Sequence, residues 1–152
     1  MITPGLAQLA QRLQARAAQD CPESDILAPT STWNLSQTIQ HCAQTVRYSV
    51  VGYPRLKPAL FRATAGRLAK HLFLRRGATK HSLAAEIDGA APLAADKTAA
   101  TAAAELAEAV ALFTGHTGPH APHPAYGRCT HEQFDRLHAM HLAEHLPGLL
   151  KQ

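Results

Sequence analysis

Apolar residues recur at helical spacing in five separate stretches of this chain, and proline, glycine or small polar residues fence each stretch. Steps of three and four place side chains on one helix face, whereas a strand needs alternation, and no convincing alternation occurs. Leu6, Leu9, Ala10, Leu13 and Ala17 mark a first helix over 5–19. A second starts at Asn34, a good N-cap, and runs to Val51 along Leu35, Ile39, Cys42, Val46 and Val50. Gly52, Pro54 and Pro58 end it. The third, over 59–75, has Leu60, Phe61, Leu68, Leu72 and Phe73 as its apolar residues. The fourth, over 98–113, is alanine-rich with Leu106, Val110 and Phe113 on one face. The last begins at Thr130, where Thr130 and Gln133 fit a capping box, and runs to Leu146 before Pro147-Gly148. Long connections fill 77–97 and 115–127. The expected fold class is all-α: one domain over 1–152, a helical bundle with an additional N-terminal helix and long connections.

A chain of 152 residues with 46% hydrophobic and 17% charged residues can bury a core. Its three cysteines, Cys21, Cys42 and Cys129, are an odd number without framework spacing, so a disulfide scaffold is not expected. Residues 1–20 lack the apolar core of a signal peptide, and no run suits a membrane span, so the expected location is the cytoplasm. The net charge of +4 is unevenly spread. No Asp or Glu occurs from Ile26 to Ala85, a stretch that holds Arg47, Arg55, Lys57, Arg62, Arg67, Lys70, Arg75, Arg76 and Lys80. Such a segment either solvates the surface beside acidic helices or attracts an anionic small molecule. Nucleic acid is the weaker expectation, since no nucleic-acid motif is present.

The chemistry concentrates in the last helix. No glycine-rich phosphate loop, CxxC pair or nucleophile elbow occurs, but His138, His141 and His145 do. His141 and His145 project about 40° apart, one turn from each other, which lets two imidazoles share one metal ion. His138 also pairs in spacing with His141, but it lies about 10 Å by helical rise from His145. A single half-buried histidine is more often hydrogen-bonded to backbone or water than ligated. Phe134, Leu137 and Leu142 flank this row, and burying several imidazoles without partners is costly. His41, in the second helix, is either a third ligand or an edge histidine. The string His141-Leu-Ala-Glu144-His145 matches an inverted zinc-protease motif, but such enzymes take a further ligand downstream and only seven residues follow.

Two motifs carry a resemblance. Trp33-Asn-Leu-Ser-Gln-Thr-Ile-Gln-His41 resembles the W-S/N-x-x-Q/E-x-x-x-H signature of the DinB-like superfamily of metalloenzymes. His123-Pro-Ala-Tyr-Gly127, followed by a helix with His141-Leu-Ala-Glu-His145-Leu146, resembles one branch of it, a family of unknown function. The likeness runs from Pro29 to Leu146. It implies a four-helix bundle with an up-down-down-up arrangement and a three-histidine metal site of His41, His141 and His145. His138 and His123 would line the pocket; His123 serves equally well as a loop brace. Cys42 stands where the superfamily often has Leu, as a buried small hydrophobe or a soft neighbour of the metal.

Three neutral imidazoles leave coordination positions open, and they suit zinc or nickel first, then iron. The resemblance implies a metal-dependent enzyme, of thiol transfer or hydrolysis, acting on a small thiol or an anionic small molecule. The alternative is a non-catalytic metal-binding or stress-associated interaction protein. A homodimer through an apolar helix face fits either.

Overall fold

The computed structural model describes residues 4–19 and 21–151. Met1, Ile2, Thr3, Asp20 and Gln152, part of the expected 1–152 span, lie outside them. Every regular element among the described residues is helical. The helices are α1 (Leu6–Ala18), α2 (Leu35–Val51), α3 (Ala59–Ala63), α4 (Ala65–Arg76), α5 (Ala99–Gly115) and α6 (His131–His145). Short 3₁₀ turns occupy Glu23–Asp25 and Pro147–Leu150, and His123 forms an isolated bridge with Gly127.

The capping residues act as read. Asn34 accepts from the Gln37 backbone N–H at 2.8 Å, while the Gln37 side chain accepts from the Asn34 N–H at 3.1 Å. Thr130 and Gln133 repeat this reciprocal box at the start of α6. Each box satisfies two of the backbone donors that a helix start leaves orphaned. The two caps therefore fix where the α2 and α6 registers begin, and so which faces turn inward.

The main core lies among α1, α2, α5 and α6. Leu9, Leu13, Ile39, Val46, Leu106, Phe113, Phe134 and Leu142 are all buried in it. α2 packs most extensively against α5, whose alanines Ala102, Ala103 and Ala109 allow close approach. Cys42 is buried in this core, and burial pushes its thiol far up, as suits a small hydrophobe. Leu149 reaches the core from the C-terminal 3₁₀ turn, since α6 stops at His145.

The expected third helix differs in two ways. It divides at Thr64, whose backbone turns to φ −115°, ψ −95°. The Thr64 hydroxyl donates to the Leu60 carbonyl at 2.6 Å, a local bond that competes with the helix ladder. Three of its apolar residues are also turned outward: Leu60 is 77% exposed, Leu68 62% and Leu72 49%. The inward face of α4 is instead Gly66, Ala69, Lys70 and Phe73, packed near Tyr126, Leu137 and Met140. Gly66 decides this, because a Cβ there would collide with the Ala125 carbonyl.

The 77–97 connection is fastened to α2 by amides. The Gln40 side chain donates to the Ala94 carbonyl at 2.8 Å and accepts from the Ala94 N–H at 2.9 Å. Gln44 donates to the Ala91 carbonyl at 2.9 Å, and Asn34 to the Ala95 carbonyl at 3.1 Å.

At the far end, Gly148 packs against Asp25 and Ile26 and donates to the Ile26 carbonyl at 3.1 Å. A Cβ at 148 would overlap both residues' backbone. Gly148→Ala is expected to lower stability by roughly 1–3 kcal/mol in denaturant titrations. Gly115→Ala, facing open space on α5, is expected to be neutral or stabilising in the same assay.

Candidate metal centre

His41 projects from the middle of α2, and His141 and His145 from the last turns of α6. Side-chain nitrogens of the three lie within 4.8 Å of one another. His41 Nε2 faces His141 Nε2 at 3.3 Å. Two nitrogens bound to one tetrahedral zinc ion stand about 3.3 Å apart, given zinc–nitrogen bonds of about 2.0 Å. His41 and His145 are buried, and Trp33 closes one side of the group. Its ring lies 5.0 Å from that of His41 and stacks on His145 at 6.1 Å, within 10° of parallel.

The decisive observation is what these rings lack. His41 Nδ1 and both nitrogens of His145 are buried without a hydrogen-bond partner. A neutral imidazole carries one donor and one acceptor, and leaving either buried and unmatched costs about 1–3 kcal/mol. Burial pushes His41 down to about 3 and His145 to about 4, and drives His141 well below the usual histidine value. Mutual repulsion adds to the effect for His41 and His141, while Glu144 partly opposes it for His145. The rings are therefore neutral at pH 7, the form that ligates a metal. By donor type, spacing and unsatisfied nitrogens, the group fits a divalent transition metal.

A pocket of about 580 Å³ opens onto His41 and His141. His138 and His123 line it. His138 Nε2 pairs with the Ser49 hydroxyl at 3.1 Å, and its ring stacks on Phe134. His123 Nδ1 accepts from the Ala125 and Tyr126 N–H groups, both at 3.1 Å, so it braces its own loop. Both rings have partners of the kind that His41 Nδ1 and both nitrogens of His145 lack. Arg55 and Lys57 also line this pocket; Arg62 and Arg67 line a separate recess.

A family model described as "Protein of unknown function (DUF1569)" matches residues 10–152. The chain belongs to the DUF1569 family. No curated protein and no solved structure matches it.

This DUF1569 chain also places residues at the pocket that spacing alone does not reveal. His81, in the 77–97 connection, lines the pocket beside His141, with ring centroids 5.5 Å apart. Its Nδ1 meets the Glu144 carboxylate at 3.0 Å and its Nε2 meets the Tyr126 hydroxyl at 2.7 Å. A carboxylate only accepts, so Nδ1 carries a hydrogen and donates it to Glu144. Burial raises the Glu144 carboxyl, but hydrogen bonds from the His81 ring and backbone and from Thr79 outweigh it and lower the value overall. Glu144 is the carboxylate of the H-x-x-E-H string. Its place between two ligand-spaced histidines is a signal for a supporting partner. His81 itself sits in an aperiodic stretch and gives no such signal.

Burial holds His138 and His123 each down at about 3, against 6.5 in the unfolded chain. Between these values the unfolded chain binds more protons, so stability falls as pH drops from about 6.5 to about 3. Each of these two histidines is expected to add at most about 1.4 kcal/mol per pH unit to that decline. Chemical denaturation across that range checks it, and His138→Gln is expected to flatten the decline.

Proposed function

We propose that this DUF1569 protein is a metal-dependent enzyme of the DinB-like kind, built as an up-down-down-up four-helix bundle. His41, His141 and His145 would hold a divalent transition metal, zinc or nickel first and iron next. The observation that carries this reading is the buried His145 ring with neither nitrogen partnered, beside facing Nε2 atoms of His41 and His141.

When bound, such an ion would act as a Lewis acid that lowers the pKa of a thiol or water. The reaction class is thiol transfer or hydrolysis. The chain's own groups supply the rest. Lys57 would draw an anionic small molecule or a small thiol toward the pocket, whereas Arg55 is paired with Asp88 at 3.3 Å. Leu56, Ile87 and Leu137 on its walls would take up an apolar body and exclude water. His81 would hold or pass a proton at Nε2, next to the Tyr126 hydroxyl. Glu144 would keep its tautomer fixed through Nδ1.

Protein purified without a histidine tag is expected to contain close to one zinc, nickel or iron per chain by elemental mass spectrometry. His41→Ala and His145→Ala are expected to lose it, and His138→Ala to keep it. A folded, metal-free protein that takes up neither added zinc nor nickel overturns the proposal.

A further inference from the structure

The second recess, of about 450 Å³, lies on the other side of the His123–Gly127 loop. Arg62, Arg67, Lys70 and Arg128 line it, and no acidic side chain does. None of the four joins an ion pair among the described residues. Lys70 is only 6% exposed. Its ammonium donates to the Arg128 carbonyl at 2.8 Å and to the Gln133 side-chain oxygen at 3.4 Å, both neutral. A buried ammonium with neutral acceptors alone is poorly compensated, and removing a charge from water is tolerated when an opposite charge meets it.

The recess is shaped by backbone, not by chance side-chain placement. Gly66 brings α4 against Ala125, and Gly127, at φ +72°, turns the loop beside Arg62. The same turn is closed by paired hydrogen bonds between His123 and Gly127. Arg62 is anchored by donating from Nε to the Lys57 carbonyl at 2.9 Å. Four cationic residues thus line one recess whose lining holds no acidic residue.

We infer that this recess is a binding site for the phosphoryl group of a small molecule, separate from the histidine cluster. Guanidinium forks match the paired oxygens of a phosphate, and a lysine adds a point charge. A phosphate dianion answers the concentration of positive charge better than a single carboxylate does. Tyr126 lines both this recess and the histidine pocket.

Calorimetric titration of the full chain with inorganic phosphate and with pyrophosphate tests the inference. One saturable site is expected. Binding should weaken about tenfold or more in Arg67→Gln and in Arg128→Gln, each losing a charge-assisted contact. Arg47→Gln, an exposed cation elsewhere in the basic segment, should bind as the parent does. Melting curves establish that each variant is folded. Adding the neutral chelator phenanthroline should change nothing, which separates this site from any metal held by the histidines. Absence of saturation overturns the inference, as does an equal loss in Arg47→Gln or a loss on chelation. Binding of a single-stranded oligonucleotide with steep salt dependence, without binding of either phosphate, also overturns it and marks a nucleic-acid surface instead.

Discussion

Three ring nitrogens buried without partners are the constraint around which this molecule is arranged. Water cannot reach them, and no backbone group turns toward them, so the fold carries a local cost that its other interactions must offset. The two capping boxes set the registers of α2 and α6, and those registers bring His41 opposite His141. A small shift of either helix would separate the nitrogens. Alanines on α5 let α2 sit deep in the bundle, and Trp33 shields the far side of the rings. Histidines elsewhere in the chain show the contrast, since His138, His123 and His81 each find ordinary partners.

Around this centre the chain uses irregular backbone where it needs a surface and helices where it needs rigidity. The 77–97 connection bends over the pocket, fastened to α2 through Gln40 and Gln44 and to α6 through Glu144. The His123–Gly127 loop forms the opposite wall. Because Gly66 brings α4 close to that loop, the exposed leucines of α4 are a by-product of the wall's position.

How much of this could be read from residues alone depended on the kind of signal. Helix starts at Asn34 and Thr130 were legible because a cap is a local hydrogen-bond device written in adjacent residues. His141 and His145 were legible because helical periodicity alone brings them together. Joining His41 to them needed tertiary information, and the Trp33–His41 resemblance supplied it. The outward turn of Leu60, Leu68 and Leu72 was not legible, because hydrophobicity ranks leucine above glycine and no propensity describes the close backbone contact at Gly66. His81 was missed for a related reason: in an aperiodic connection, position in sequence says nothing about where a side chain ends up.

Trp33 carries one last consequence. It is the chain's single tryptophan, and its indole stacks on His145 and leans on His41. All indole emission therefore originates from a ring whose centroid lies 5.0 Å from that of His41 and 6.1 Å from that of His145. Any change in the charge, ligation or spacing of those rings alters the surroundings of the sole indole fluorophore. The molecule contains its own optical probe of the centre, with no label and no background from other indoles.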